Sequence, residues 1–195
     1  MTYRVSEEFA SFQGEGTHAG VPAYFIRLAG CSVAHCPIRA VCDTDYAHKY
    51  DASANELADR AGAAKSARFV VVTGGEPFDQ DMPALADALN RRGLRAHVET
   101  SGLHDAERAG FHWIAMSPKA RASQLKNRWA NDVKVVYVGQ PIHVLREYEP
   151  FGRNMLLQPR WADGAMNIAA TLDALAQLPP PWRLSLQTHK FAGVR

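Results

Sequence analysis

Three cysteines carry the most distinctive chemistry in this chain. Cys31, Cys36 and Cys42 lie in the segment GCSVAHCPIRAVCDTD, spaced C-x4-C-x5-C, and the sequence has no other cysteine. An odd, tightly grouped set does not read as a disulfide framework. With no export signal beside it, it reads as metal ligation or redox chemistry. A [4Fe–4S] cluster commonly takes four cysteines. Three leave one iron open, as three protein ligands leave a position open on catalytic zinc. An open iron can bind the amino and carboxylate groups of S-adenosylmethionine. One electron from the reduced cluster then breaks the sulfonium C–S bond and yields a 5′-deoxyadenosyl radical. The protein must tune the cluster and hold the reacting carbon near a substrate hydrogen. Zinc is the rival, since His35 beside Cys36 offers a Cys3His set. Structural zinc pairs its ligands as C-x2–4-C, and no second short pair exists. Unligated or redox-active thiols are the third reading.

Such a loop needs a scaffold. Short apolar runs rich in β-branched residues predict strands over Ala23–Leu28, Arg68–Val72, Arg95–Val98, Trp113–Met116, Asp132–Val138, Asn154–Leu157 and Trp182–Leu186. Apolar residues at three- and four-residue spacing predict helices over Ser53–Ala64, Met82–Arg92 and Asn167–Leu178. Gly93 suits a C′ position, and Pro179, Pro180 and Pro181 stop the third helix. Alternating strands and helices predict an α/β fold with a parallel sheet. Without GxGxxG after the first strand, a dinucleotide-binding domain is disfavoured. Five strands run into polar groups: Thr73-Gly74-Gly75-Glu76-Pro77, Glu99-Thr100-Ser101-Gly102, Ser117-Pro118-Lys119, Gln158-Pro159 and Gln187-Thr188-His189-Lys190. The carboxyl edge of a parallel sheet is where such folds build active sites. A closed eight-unit barrel usually needs about 250 residues. The 195 residues here predict a partial, modified TIM-like (β/α) barrel of six to seven strands.

Residues 1–195 read as one domain. The 22 basic and 20 acidic side chains nearly cancel, which argues against nucleic acid or a membrane surface as partner. No apolar run approaches the roughly 20 residues of a membrane helix, and the N-terminal segment lacks an apolar signal core. The expected location is cytoplasmic.

The ordered set QGEG (Gln13–Gly16), FIRLAGC (Phe25–Cys31), CDTD (Cys42–Asp45), TGGEP (Thr73–Pro77), ETSG, SPK, QP and QTHK runs from about Phe9 to His189. In that order it resembles the 7-carboxy-7-deazaguanine synthase family, within the radical S-adenosylmethionine superfamily. The resemblance implies a partial barrel, usually a homodimer. It implies conversion of 6-carboxy-5,6,7,8-tetrahydropterin to 7-carboxy-7-deazaguanine with loss of ammonia, in 7-deazapurine (queuosine-type) biosynthesis. The implied cofactors are a [4Fe–4S] cluster on Cys31, Cys36 and Cys42, S-adenosylmethionine and Mg2+. The implied partners are the pterin and an electron donor such as flavodoxin or ferredoxin. One departure stands out: the superfamily usually spaces its cysteines C-x3-C-x2-C, and both gaps differ here.

The resemblance also implies roles. Thr73, Gly74, Gly75 and Glu76 belong to the amino group of the methionine moiety. Glu99, Thr100, Ser101, Ser117 and Lys119 face the same ligand, where hydroxyls and a lysine suit ribose and carboxylate. Gln158 is assigned to adenosine or ribose. Gln13, Glu15, Gly16, Arg27 and His189 look like substrate residues. Gln and Glu can read the flat pterin edge, the planar Arg27 fork suits a carboxylate, and His189 can hydrogen-bond or move a proton. Glu15 and His189 are thus the catalytic candidates. Thr44, with Asp43 beside it, offers oxygen to Mg2+. No role falls to His18, His48, His97, His104, His112 or His143. Trp129 and Trp161 suit packing or a dimer interface, and the Arg195 carboxylate is near enough in sequence to reach the pterin site. Two other readings remain in view: a different radical enzyme such as a glycyl-radical activase, and a non-catalytic zinc-binding protein.

Overall fold

The sequence patterning produces one large sheet and a layer of helices on one of its faces. The computed structural model describes residues 1–42, 44–162 and 164–194. In chain order the elements are β1 (Thr2–Phe12), β2 (Pro22–Leu28), β3 (Tyr50–Ser53), α1 (Ala54–Ala63), β4 (Phe69–Gly74), α2 (Met82–Arg91), β5 (Ala96–Thr100), β6 (Trp113–Met116), β7 (Ala130–Tyr137), α3 (Ile142–Arg146), β8 (Gly152–Pro159), β9 (Trp161–Ala162), β10 (Ala165–Met166), α4 (Ile168–Leu175), β11 (Arg183–Leu184) and α5 (Thr188–Ala192). Nine strands form a sheet in the order β11-β8-β7-β6-β5-β4-β2-β1-β3, and β9 pairs with β10 as a small hairpin.

Seven of the nine strands, β2, β4, β5, β6, β7, β8 and β11, run parallel to one another. This is the mostly parallel α/β sheet that the alternation of elements predicts. The sequence pattern did not reveal β1 and β3, which add antiparallel at one edge. The sheet order is open, with β3 and β11 as its edges.

Period-two alternation sorts the strand residues. On β4, Val70 and Val72 join the main core with Leu57 and Ala58 of α1 and with Leu85 and Leu89 of α2. Phe69 and Val71 join a second cluster with Ala23 and Phe25 on the opposite face. The three predicted helices, α1, α2 and α4, begin within a residue of their expected starts, while α3 and α5 were not expected. Ser53 Oγ accepts from Glu56 N–H and the Glu56 carboxylate accepts from Ser53 N–H, a capping box. Gly93 follows α2 with φ of 69° and donates to Asn90 O at 2.9 Å, the C′ role expected of it. The third helix stops at Leu175, three residues short of the predicted end.

The face opposite α1 and α2 is crossed by the segment between β1 and β2. Gly16 N–H donates to Ser185 Oγ at 3.0 Å. Thr17 donates from N–H and Oγ1 to the Asp132 carboxylate at 2.9 and 2.7 Å. His18 packs on Phe69, His97 and Trp113 with ring centroids 5.2, 4.9 and 4.3 Å away. One short segment therefore touches β4, β5, β6 and β7 and the stretch after β11.

Candidate active site

The sheet face opposite α1 and α2 changes character along each strand. Phe69 and Val71 give way to Thr73 on β4, His97 to Glu99 on β5, Trp113 and Ala115 to Ser117 beyond β6, and Leu156 to Gln158 on β8. At the polar, carboxyl end lies a cavity of about 540 Å³, within the usual range for small-molecule sites. Its walls include Cys31, Cys36, Cys42, Thr44, Thr73, Gly74, Gly75, Glu99, Thr100, Ser101, Ser117, Lys119, Gln158, Gln13, Glu15, Arg27 and His189. Almost every site residue expected from the sequence is on this one surface. Glu76 and Gly16 lie just behind it. Asp43 and Arg195 fall outside the described residues.

The cysteine loop sits against the end of β4. A Cβ at position 75 would fall 2.1 Å from Gly30 O and 2.4 Å from Cys31 Cβ, so only glycine allows this approach. Gly74 has φ of 144°, a region side chains avoid. Asp79 accepts from Ser32 N–H and Oγ at 2.8 and 2.5 Å, fixing the residue after Cys31. Burial pushes the Cys31 thiol up. Asp79, Glu76 and Cys36 act in the same direction, and a hydrogen bond from the Val33 backbone opposes them. Burial lowers the Lys119 ammonium, against the pull of Cys36, Cys42, Glu76 and Glu99. Among the described residues, no three His, Cys, Asp or Glu side chains converge as ligands of a single ion. A cubane takes its thiolates at separate corners, and three thiols around one cavity suit that wider group.

The polar residues at the strand ends brace one another. Glu76, 1% exposed, accepts from Thr100 Oγ1 at 2.8 Å, Ser101 N–H at 2.8 Å, Ser101 Oγ and Phe78 N–H at 3.1 Å. Glu99 accepts from Gln13 Nε2 at 3.0 Å and Thr73 Oγ1 at 2.9 Å. Gln13 Oε1 in turn accepts from Glu15 N–H at 3.1 Å. Lys119 Nζ donates to Ser117 Oγ at 2.6 Å, and Ser185 Oγ donates to Gln158 Oε1 at 3.1 Å. Arg27 lies on the cavity side of β2. Its Nε donates to Glu7 Oε1 at 2.8 Å, and its guanidinium carbon is 5.9 Å from the Phe9 ring centroid.

Sequence reasoning passed over Lys134 and Glu7 and gave Gln187 no role of its own within QTHK, and all three line the cavity. Lys134 had a signal: it is a charged residue inside an apolar strand, in register with Asp132 and Val136 on one face. QTHK was expected to end a strand. Instead Gln187 occupies the position before α5, and His189 stands in its first turn.

No protein-family model matches the chain. Curated relatives do. A 7-carboxy-7-deazaguanine synthase from Synechocystis sp. is 39% identical over 205 residues, covering 100% of this chain and 95% of that protein. One from Bradyrhizobium diazoefficiens is 40% identical over 220 residues, covering both chains fully. Among solved structures, the crystal structure of QueE from Escherichia coli superposes with a TM-score of 0.75 at 29% identity, covering 96% of this chain and 95% of that one. Likeness at this level over the whole length, on a fold that gathers the same motifs around one cavity, decides the family. This chain belongs to the 7-carboxy-7-deazaguanine synthases.

Proposed function

We propose that the protein converts 6-carboxy-5,6,7,8-tetrahydropterin to 7-carboxy-7-deazaguanine with loss of ammonia, as a radical S-adenosylmethionine carbon–nitrogen lyase of 7-deazapurine biosynthesis. The observation that carries this reading is the shared cavity. Three thiols, the Thr73–Gly75 edge, Arg27, Glu15 and His189 all open onto it.

When bound, a [4Fe–4S] cluster on Cys31, Cys36 and Cys42 supplies the electron that cleaves S-adenosylmethionine into a hydrogen-abstracting radical. The protein's own groups do the rest. Gly74 and Gly75 let a ligand amino group approach the backbone. Ser117 and Lys119 suit its carboxylate and hydroxyls. Arg27, aligned by Glu7, presents its fork to the substrate carboxylate. Glu15 holds the ring's donor edge, and His189, packed on Gly14 beside it, can hydrogen-bond the ring or move a proton. Thr44 offers an oxygen to Mg2+.

The same reading takes the sheet as a partial (β/α) barrel. The segment after β1 supports this, because it reaches across the sheet to bond Asp132 of β7 and Ser185. It also takes residues 1–195 as one catalytic domain, acting in the cytoplasm as a homodimer and fed by a flavodoxin or ferredoxin. No helix among the described residues is long and apolar enough to cross a membrane.

The test is an anaerobic assay of reconstituted protein with dithionite, S-adenosylmethionine, Mg2+ and carboxytetrahydropterin. The expected products are 5′-deoxyadenosine and a mass matching 7-carboxy-7-deazaguanine. A fully iron-loaded protein that yields neither overturns the reading.

A further inference from the structure

Lys134 stands on the cavity side of β7 and is 8% exposed. Its ammonium donates to Glu15 Oε2. Gln187 Nε2 donates to Glu15 Oε1 at 2.7 Å. Glu15 is thus gripped from β7 on one side and from the residue before α5 on the other. Each carboxylate oxygen has used one acceptor site and keeps another for a ligand. A buried ion pair is expensive to desolvate, and an apolar pair of similar volume is often no less stable. A cation retained here therefore points to recognition rather than to stability. Burial lowers the Lys134 ammonium to about 8.

The pair has a definite complement. A carboxylate next to an ammonium, both facing one cavity, matches a flat ring edge that carries N–H donors beside a carbonyl oxygen. The pyrimidinone edge of a pterin is such an edge: N3–H and the 2-amino group donate, and O4 accepts. Arg27 on β2 lies four strands away in the sheet order. The carboxylate and the pyrimidinone edge of one ligand can then be held from opposite sides of the cavity.

Resting on the pterin reading above, we propose that Lys134 is a specificity-determining residue. Its Nζ donates to the ring 4-oxo oxygen, while Glu15, aligned by Lys134 and Gln187, accepts from N3–H and the 2-amino group.

The test uses anaerobically reconstituted protein with S-adenosylmethionine bound. Fluorescent 6-carboxypterin is titrated, and its 4-amino analogue, 2,4-diaminopteridine-6-carboxylate, competes. The wild type prefers the 4-oxo compound. Lys134→Met lowers that preference roughly tenfold or more, the worth of a charged hydrogen bond. Removing Lys134 alone leaves Glu15 buried beside an apolar group. The double variant Glu15→Gln/Lys134→Met, neutral and close in volume, guards against misfolding and loses the preference as well. A preference unchanged in the folded variants overturns the proposal and leaves the pterin reading standing. A wild type that binds neither compound sinks both.

Discussion

His189 stands directly against Gly14: a Cβ at position 14 would fall 1.9 Å from His189 Nδ1 and 2.9 Å from His189 Cβ. Thr188 tightens the contact, donating from N–H and Oγ1 to Gly14 O at 2.8 and 3.0 Å. The segment bearing Gln13 and Glu15 and the helix bearing His189 thus form one unit, although more than 170 residues separate Thr188 from Gly14.

Gly14→Ala drives the new methyl group into the imidazole and moves His189 off its position. A misplacement of about 1 Å at a reacting group can cost on the order of 10²-fold in rate. The expected result is a loss of that order in kcat/KM for carboxytetrahydropterin. Reductive cleavage of S-adenosylmethionine without substrate stays near wild type, because the cysteine loop is untouched. Equal loss of both activities would contradict the assignment of His189 to the substrate side.

Glu76→Ala tests the strut between the ends of β4 and β5. It strands the Thr100 and Ser101 hydroxyls and the Ser101 N–H in a buried place, and each unsatisfied buried group costs about 1–3 kcal/mol. Unfolding in urea should show a loss of about 3 kcal/mol or more. Binding of S-adenosylmethionine to the reconstituted protein should weaken alongside it. A variant of wild-type stability would show that Glu76 is not a strut.

How much of this was visible in the sequence varies by element. RFVVV shows its strand because every residue from Phe69 to Val72 is buried, on one face or the other. Ser53 and Glu56 announce the start of α1 locally. β1 does not announce itself: TYRVSEEFASF carries Glu7 and Glu8 mid-strand, and only its partners make it a strand. Phe9 stacks on Phe25 at 5.0 Å, and Glu8 accepts from the hydroxyls of Tyr24 and Tyr50 at 3.2 and 2.8 Å. Strand preference of this kind depends on packing context. The site divides in the same way. Cys31, Thr73–Glu76 and Arg27 lie in contiguous motifs. Lys134 stands out locally as a charge within an apolar strand, but its partner Glu15 lies 119 residues earlier, and nothing local names that partner.

Gly75→Ala examines the close approach of the end of β4 to the cysteine loop. Its methyl group would overlap Gly30 O and Cys31 Cβ. Glu76 N–H also donates to Gly30 O at 3.3 Å across this junction, so the cysteine loop must move outward. Iron and acid-labile sulfide per chain, measured after anaerobic reconstitution, should fall to about half of wild type or below, since a loop displaced by about 1 Å no longer presents its thiolates together. Full iron loading with a normal visible spectrum would show that the loop tolerates the shift and that Gly75 serves the backbone alone.

His97 makes the folded protein sensitive to acid. Its ring stacks on Phe69 with centroids 4.0 Å apart, and its Nε2 is buried with no hydrogen-bond partner among the described residues. Burial lowers the imidazole to about 3, with His18, Arg95 and His112 acting in the same direction. His18 is lowered too, chiefly by burial, with Asp132 opposing. An unfolded histidine titrates near 6.5. Between about pH 6.5 and 3 the unfolded chain therefore binds a proton that folded His97 refuses. Stability is full above that window and declines as the pH falls into it, by up to about 1.4 kcal/mol per unit. His97→Phe keeps the stacking and removes the titration. Urea unfolding at pH 7.5 and pH 5 should show the wild type losing about 2 kcal/mol more than the variant over that interval. Parallel losses would mean that folded His97 takes up its proton as readily as the unfolded residue does, and the burial account of this ring would be wrong.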